Sequence, residues 1–353
     1  MINRRKTRQI KVGGVKIGGG APVSIQSMAK VETSNVKAAV SEIKRLESLG
    51  CEIIRVAVKN AKDAEAVRPI KKKIRIPLVC DIHFDYRLAL KCIEAGADKI
   101  RLNPGNIKRR EEIREIIRAA KRVKIPIRIG VNSGSVSTQY AVRRTQYALV
   151  DSALQYIKLF EAMEFHDIII SLKASDVAAT VDAYRKIAKQ CGYPLHLGVT
   201  AAGPYDSGIV KSSIGIGALL LDGIGDTIRV SLTADPAEEI IAAKRILAAV
   251  GLRHFGPEII SCPTCGRCQV DLFKIVNATE NAIRTTQYAI RKSPLSIAIM
   301  GCEVNGPGEA KEADIGIAFG KNCGMLFKKG KVVKKVSIND AVQELIKLLV
   351  TSY

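Results

Sequence analysis

Lys99-Ile100-Arg101-Leu102, the segment Arg110–Val123 and Ile127-Arg128-Ile129-Gly130-Val131 form the stretch whose rhythm decides the fold. Two short runs of β-forming residues flank a segment whose apolar residues recur at helical spacing, the pattern of a parallel βα unit. The same rhythm extends in both directions from Pro22 to Gly251. Its strand-like runs are Val23–Met28, Ile53–Val58, Leu78–Ile82, Lys99–Leu102, Ile127–Val131, Ile168–Leu172, Leu195–Val199 and Thr227–Ser231. Helix-like segments between them include Val36–Leu49, Arg110–Val123, Val177–Lys189 and Pro236–Val250. Eight such units in roughly 230 residues predict a closed (β/α)8 TIM-type barrel. An open doubly wound sheet is the alternative. Its glycine fingerprint should follow the first strand, whereas Gly18-Gly19-Gly20 precedes that strand.

After Arg253-His254-Phe255-Gly256-Pro257 the rhythm changes. The expected organisation is therefore a β/α-barrel substrate domain over residues 1–255 and a small α+β domain over residues 256–353. The tail predicts a strand at Leu295–Met300, a glycine-rich turn at Asn305–Gly308, a hairpin through Phe327–Lys331 and a closing helix at Ile338–Val350.

Composition narrows the class. The chain has 353 residues, 47% of them hydrophobic, enough for one large core and one small one. It contains no apolar run of the roughly 18 residues that a membrane span requires. Met1-Ile2-Asn3-Arg4-Arg5-Lys6 lacks an apolar signal core, so a cytoplasmic protein is expected. Nine cysteines without a secretory signal read as reduced thiols or metal ligands. The net charge of +22 raises the question of nucleic acid, but the charge is spread along the chain and aromatic residues are only 5%, with no Trp. The stacking platforms of a single-strand binder are thus missing. A basic surface suits an anionic substrate or an acidic protein partner.

Catalytic groups in such barrels lie at the C-terminal ends of the strands. Five runs carry a cation there: Arg55, Arg101, Arg128, Lys173 and Arg229. One buried arginine is commonly a structural ion pair; five at equivalent places call for an anion, and a guanidinium fork fits phosphate. Asn103, Asn132, His196 and Ser231 add neutral hydrogen-bonding groups beside them. Asp81 and His83 share one face of the third run, either to handle protons or as a structural polar pair at the rim. Cys262-Pro263-Thr264-Cys265-Gly266-Arg267-Cys268, with Cys302 further on, is the densest chemical motif. Two thiolates separated by two residues bend around one metal centre, as in iron–sulfur proteins. A zinc ribbon is the rival, but it usually brings a second cysteine pair, and Cys302 and Cys323 stand apart. A zinc-dependent nucleic-acid binder and a cluster-free phosphate-binding barrel enzyme are the competing classes.

The chain resembles the 4-hydroxy-3-methylbut-2-enyl diphosphate synthase family (IspG or GcpE type) along nearly its whole length. The stretches that carry the likeness are Gly18–Pro22 with Gln26-Ser27-Met28, Asp81–Arg87, Arg101–Asn106, Arg128–Ser135, Lys173–Asp176, Gly223–Thr227, Cys262–Arg267 and Asn305–Glu309. The resemblance implies an oxidoreductase of isoprenoid biosynthesis by the methylerythritol phosphate route. It would reductively open 2-C-methyl-D-erythritol 2,4-cyclodiphosphate, with electrons from ferredoxin or flavodoxin passing through a [4Fe-4S] cluster. Carried over by motif, Cys262, Cys265, Cys302 and Glu309 are the cluster ligands, and Glu309 is also catalytic. Arg55, Arg101, Arg128, Asn132, Lys173, Arg229 and Ser231 are the substrate-binding positions, to which the strand-end reading adds His196. Asp81 and His83 are the further catalytic candidates. The family works as a homodimer, and the short span between Ser231 and Cys262 matches its two-domain bacterial form.

Two positions depart from the family pattern. Ala201, in Gly198-Val199-Thr200-Ala201-Ala202-Gly203, stands where the family usually has Glu, so a carboxylate expected near the substrate is missing. Cys268 creates a triple spacing that offers a fourth thiolate in place of Glu309.

Overall fold

The structure, a computed structural model, describes residues 2–103, 106–107, 109–135, 145–285, 295–304 and 306–351. The chain divides into two compact units, Met1–Arg253 and His254–Tyr353.

In the first unit a hairpin, β1 (Ile10–Val12) and β2 (Val15–Ile17), leads into β3 (Ser24–Met28), α1 (Val36–Ser48), β4 (Ile53–Val58), α2 (Ala61–Lys71), β5 (Leu78–Ile82) and α3 (Tyr86–Glu94). There follow β6 (Lys99–Leu102), α4 (Arg110–Val123), β7 (Ile127–Asn132), α5 (Thr145–Glu161), β8 (Ile168–Lys173) and α6 (Val177–Ala188). The unit ends with β9 (His196–Leu197), α7 (Tyr205–Leu221), β10 (Thr227–Ile228) and α8 (Pro236–Ala249). The eight strands from β3 to β10 are parallel, in the order β8-β7-β6-β5-β4-β3-β10-β9. A parallel bridge between Ile170 and Leu195 joins the two ends of that order, so the sheet closes into the expected (β/α)8 barrel.

Local chemistry sets where the helices start. Asn35, Asn60, Asp85, Asp176 and Asp235 each accept a backbone N–H of the following helix through their side chains. After β4, β5 and β8 the chain therefore enters its next helix within a few residues, on short capped loops. The seventh and eighth strands are shorter than the β-rich runs suggest, because regular pairing stops at Leu197 and Ile228 and leaves Val199 and Ser231 on the rim.

The hairpin had no clear signal in the sequence. Ile10, Val12 and Ile17 are buried against Ile53, Val79 and Ile169 at the starts of three strands, forming an apolar plug under the barrel.

The second unit is a five-stranded sheet in the order β11 (Glu258–Ser261), β12 (Ser296–Met300), β13 (Ile315–Phe319), β14 (Gly324–Lys328), β15 (Lys331–Val336). The first three strands are parallel and the last two antiparallel. Strand alternation separates two cores. Ile297, Ile299, Ile315, Ile317 and Phe319 pack with α9 (Leu272–Thr285) and α11 (Ala341–Thr351), while the small residues Ala298 and Ala318 face α10 (Gly306–Glu312). The expected hairpin is present, with Lys329 and Gly330 at positive φ. The glycine-rich turn is not. Gly306, Pro307 and Gly308 form the first turn of α10, where proline lacks only an N–H that the helix does not use, and Asn305 lies outside the described residues.

Replacing Ile17, fully buried in the plug, by Ala should cost the first unit about 3 kcal/mol. Denaturant unfolding measures this, and a loss below about 1 kcal/mol would mean that the hairpin is not part of the barrel core.

Candidate active site

The inward-facing side chains at the C-terminal ends of the strands converge as the sequence predicts. Arg55, Arg101, Arg128, Asn132, Lys173, Arg229 and Ser231 line one small cavity of about 50 Å³, together with Ser171 and Thr200. Of the cations and neutral groups expected there, His196 and Asn103 are not on its wall. His196 lies deeper, fully buried within the barrel.

Two carboxylates hold the cations in place. Asp81 on β5 accepts from Arg101 Nη1 at 2.9 Å and pairs with Arg55 Nη1 at 3.4 Å. Burial alone would raise its pKa, but Arg55 and Arg101 outweigh burial and keep the carboxyl far below the usual range. Arg55 also donates to Met28 Sδ, and burial draws its guanidinium down to about 10. Arg101 reaches across to the Gly130 carbonyl at 3.1 Å. Any side chain at Gly130 would collide with that guanidinium, since a Cβ there falls 2.6 Å from Arg101 Nε. Glu239, reaching in from α8, is the second carboxylate: it pairs with Arg229 at 3.5 Å and with Lys30 at 3.2 Å, and accepts from the Leu232 N–H.

The cations still outnumber the acids. Arg128 is 1% exposed, and its Nε and Nη1 find no hydrogen-bond partner among the described residues; Arg101 Nε and Arg229 Nε likewise have none. Burial pushes Arg128 and Lys173 well below their usual pKa values, and the neighbouring cations add to this. Such a group of donors is complete only with an anion.

His83 sits at the rim, its Nδ1 3.2 Å from Asn106 Nδ2 and its Nε2 3.7 Å from Asp81 Oδ1. Phe84, beside it, is largely exposed. Pro104 and Gly105 of the same motif lie outside the described residues. Ala201 is exposed on the loop after Thr200 at φ +48°, a conformation that costs a residue with a Cβ about 1 kcal/mol.

In the second unit Cys262 follows β11 directly and Cys302 lies just beyond β12, the strand beside it. Cys265 is exposed, Glu309 is in the exposed first turn of α10, and Thr264 between the first two cysteines has φ +62°. Among the described residues no three His, Cys, Asp or Glu side chains are gathered tightly enough to hold a metal ion. The surroundings nevertheless suit a sulfur-bound cluster, because the Gly301 N–H donates to Cys262 Sγ at 3.4 Å and such bonds stabilise thiolates. Cys268 is engaged differently. Its thiol donates to the Val270 carbonyl at 3.2 Å and packs on the apolar core, and a Cβ at Gly301 would fall 2.4 Å from its sulfur.

Sequence reasoning missed Ser171, Lys99 and Glu239. Strand parity locates the first two, each two residues before a recognised cation, whereas Glu239 comes from a helix and carries no such signal.

The fold and site define the class: a (β/α)8-barrel protein whose mouth is lined with buried cations, followed by a small cysteine-bearing α+β domain. The GcpE TIM-barrel domain matches residues 7–244 and the GcpE protein C-terminal domain matches residues 258–351. The chain belongs to the GcpE family, the one its motifs resemble. It is 54% identical, over 98% of its length and 99% of the relative's, to a 4-hydroxy-3-methylbut-2-en-1-yl diphosphate synthase (flavodoxin) of Thermodesulfovibrio yellowstonii. A protein of the same name from Clostridium perfringens is 52% identical, over 99% of this chain and the whole of that one. Among solved structures, dihydropteroate synthase from Stenotrophomonas maltophilia superposes with a TM-score of 0.54 at 15% identity, over 69% of this chain and 99% of that one. That likeness concerns the barrel fold alone.

Replacing Asp81 by Asn leaves Arg55 and Arg101 without their shared carboxylate and should cost about 3 kcal/mol at pH 7. The folded carboxyl has a depressed pKa, so on acidification the unfolded chain takes up the proton first. The wild type's advantage is therefore complete above about pH 5 and shrinks as pH falls below the ordinary carboxylate value. Unfolding of both proteins at pH 7 and pH 3 checks this; an equal difference at the two values contradicts it.

Proposed function

We propose that this chain catalyses the reductive ring opening and dehydration of 2-C-methyl-D-erythritol 2,4-cyclodiphosphate to (E)-4-hydroxy-3-methylbut-2-enyl diphosphate, with flavodoxin as electron donor. The observation that carries the reading is the acid-poor ring of Arg55, Arg101, Arg128, Lys173 and Arg229 around one cavity in a member of this family. A cyclic diphosphate supplies the negative charge that the ring lacks, and guanidinium forks grip its phosphoryl oxygens. Asn132 and Ser231 add neutral hydrogen bonds, and the buried setting strengthens each contact by excluding water.

Cys262, Cys265 and Cys302 would hold a [4Fe-4S] cluster through their thiolates, with the Glu309 carboxylate as fourth ligand. When bound, the cluster supplies the two electrons that the reaction consumes. The exchangeable carboxylate, rather than a fourth thiolate from Cys268, suits a site that must admit a substrate oxygen. The thiol of Cys268 is already engaged with the Val270 carbonyl and seated against Gly301.

Ionised and paired with two arginines, Asp81 is a poor proton donor at neutral pH; it positions Arg55 and Arg101. His83 is the better proton carrier. It is half-exposed, and its Nε2 lies 3.7 Å from Asp81 Oδ1 at the rim, within reach of both solvent and the cavity mouth. With Ala201 in place of the family's usual carboxylate, His83 takes the proton role at the rim. We assign the working protein to a cytoplasmic homodimer, as the family resemblance implies. No described helix is long and apolar enough to cross a membrane, and the net charge of +22 suits docking of an acidic carrier.

Anaerobically purified protein should show a broad absorption band at the visible–ultraviolet border that dithionite bleaches; its absence after reconstitution with iron and sulfide would sink the proposal. Cys268→Ala should keep that band and activity, whereas Glu309→Ala keeps most of the band and loses most activity. The reverse pattern reassigns the fourth ligand. His83→Gln should lower kcat about a hundredfold with little change in KM, measured with a chemical reductant in place of flavodoxin.

A further inference from the structure

Beneath the mouth the barrel holds a second polar layer that the reaction does not account for. Gln26 of β3, Lys99 of β6 and His196 of β9 are all at most 1% exposed, as is Arg128 of β7 on the cavity wall. Branched apolar side chains ordinarily fill these positions in a (β/α)8 barrel. Below the layer the interior is closed by the apolar plug of Ile10, Val12, Ile17, Ile53, Val79 and Ile169.

Lys99 is the group least explained by structure. Its ammonium has one hydrogen-bond partner, Gln26 Oε1 at 3.3 Å, and no carboxylate pairs with it among the described residues. The charges that act on it most strongly are those of Arg128 and Arg55. Around it Gln26 Nε2, both ring nitrogens of His196, and Nε and Nη1 of Arg128 find no hydrogen-bond partner among the described residues. His196 adds no charge at neutral pH, because burial and the cations Lys173, Arg128 and Lys99 hold it well below its usual pKa. With an apolar floor underneath, the positive charge of this layer can be balanced only from the mouth above.

We propose that Lys99 is a positioning residue for the anion: its buried ammonium attracts the diphosphate from below without touching it and favours the seating of the phosphoryl groups against Arg128. The proposal rests on the diphosphate reading of the mouth. A buried cation without an acid destabilises the folded chain, so a lysine here trades stability for binding. The layer is buried from bulk solvent, so its field on the mouth is little screened by salt.

The test compares the full-length chain with its Lys99→Met variant, titrating each with inorganic pyrophosphate by calorimetry and following thermal unfolding without ligand. The expected result is a Kd raised about tenfold or more in the variant. The Tm of the ligand-free variant should be unchanged or higher, because methionine fills a similar volume without an unpaired charge. A lysine of purely structural role gives the opposite pattern, a lower Tm with an unchanged Kd, and that result overturns the proposal. If Lys99→Met does not fold, Lys99→Gln, which can keep a hydrogen bond to Gln26, must show the same rise in Kd. Failure of the wild type to bind pyrophosphate overturns the diphosphate reading and the role of Lys99 with it. Wild-type binding with Kd unchanged in the variants removes the role of Lys99 alone.

Discussion

Asp81 stands between Arg55 and Arg101 inside a barrel mouth that otherwise gathers positive charge. Without a carboxylate at that point, guanidinium groups from neighbouring strands would face one another across a dry interior at prohibitive cost. With it, the ring is tolerable but still short of negative charge, because Asp81 and Glu239 are too few for Arg55, Arg101, Arg128, Lys173, Arg229 and the deeper Lys99. The folded chain thus retains an electrostatic deficit that an anionic ligand can make good.

The barrel makes this arrangement sustainable. Its parallel strands bring every second residue to the axis, and capped loops follow β4 and β8, which carry Arg55 and Lys173. The apolar plug under the strands supplies burial energy where the polar interior cannot. Gly130 shows how closely the parts are fitted, since only a residue without a Cβ leaves room for the Arg101 guanidinium.

The cysteine-bearing unit follows a similar economy on a smaller scale. The isoleucines and Phe319 of its sheet pack with α9 and α11, and Ala298 and Ala318 let α10, whose first turn carries Glu309, approach the sheet. Cys268 gives its sulfur to the core beneath Gly301. Spacing alone leaves it equal to its neighbours as a ligand; its hydrogen bond and packing distinguish it.

The order of strands and helices, the change of rhythm near Arg253, the five strand-end cations and the cysteine motif were all legible in the sequence. Each is a local pattern: a hydrophobic period, a charge inside an apolar run, or a short spacing. Other features were not legible, because they arise between residues far apart in the chain. The β1–β2 hairpin reads as a loop until the barrel offers an apolar floor to cover. The segment from Gly306 to Gly308 reads as a turn until Met300 and Ala318 provide a surface for its helix. His196 looks equivalent to the strand-end polar residues, yet its register places it below the cavity. Strand parity puts Lys99 on the same face as Arg101, but only the closed barrel shows that no carboxylate among the described residues accompanies it. Which residues carry charge was determined by the sequence itself; which of those charges lie buried together, and how few acids accompany them, was decided only when closure of the barrel brought β4, β5, β6, β7 and β8 around one axis.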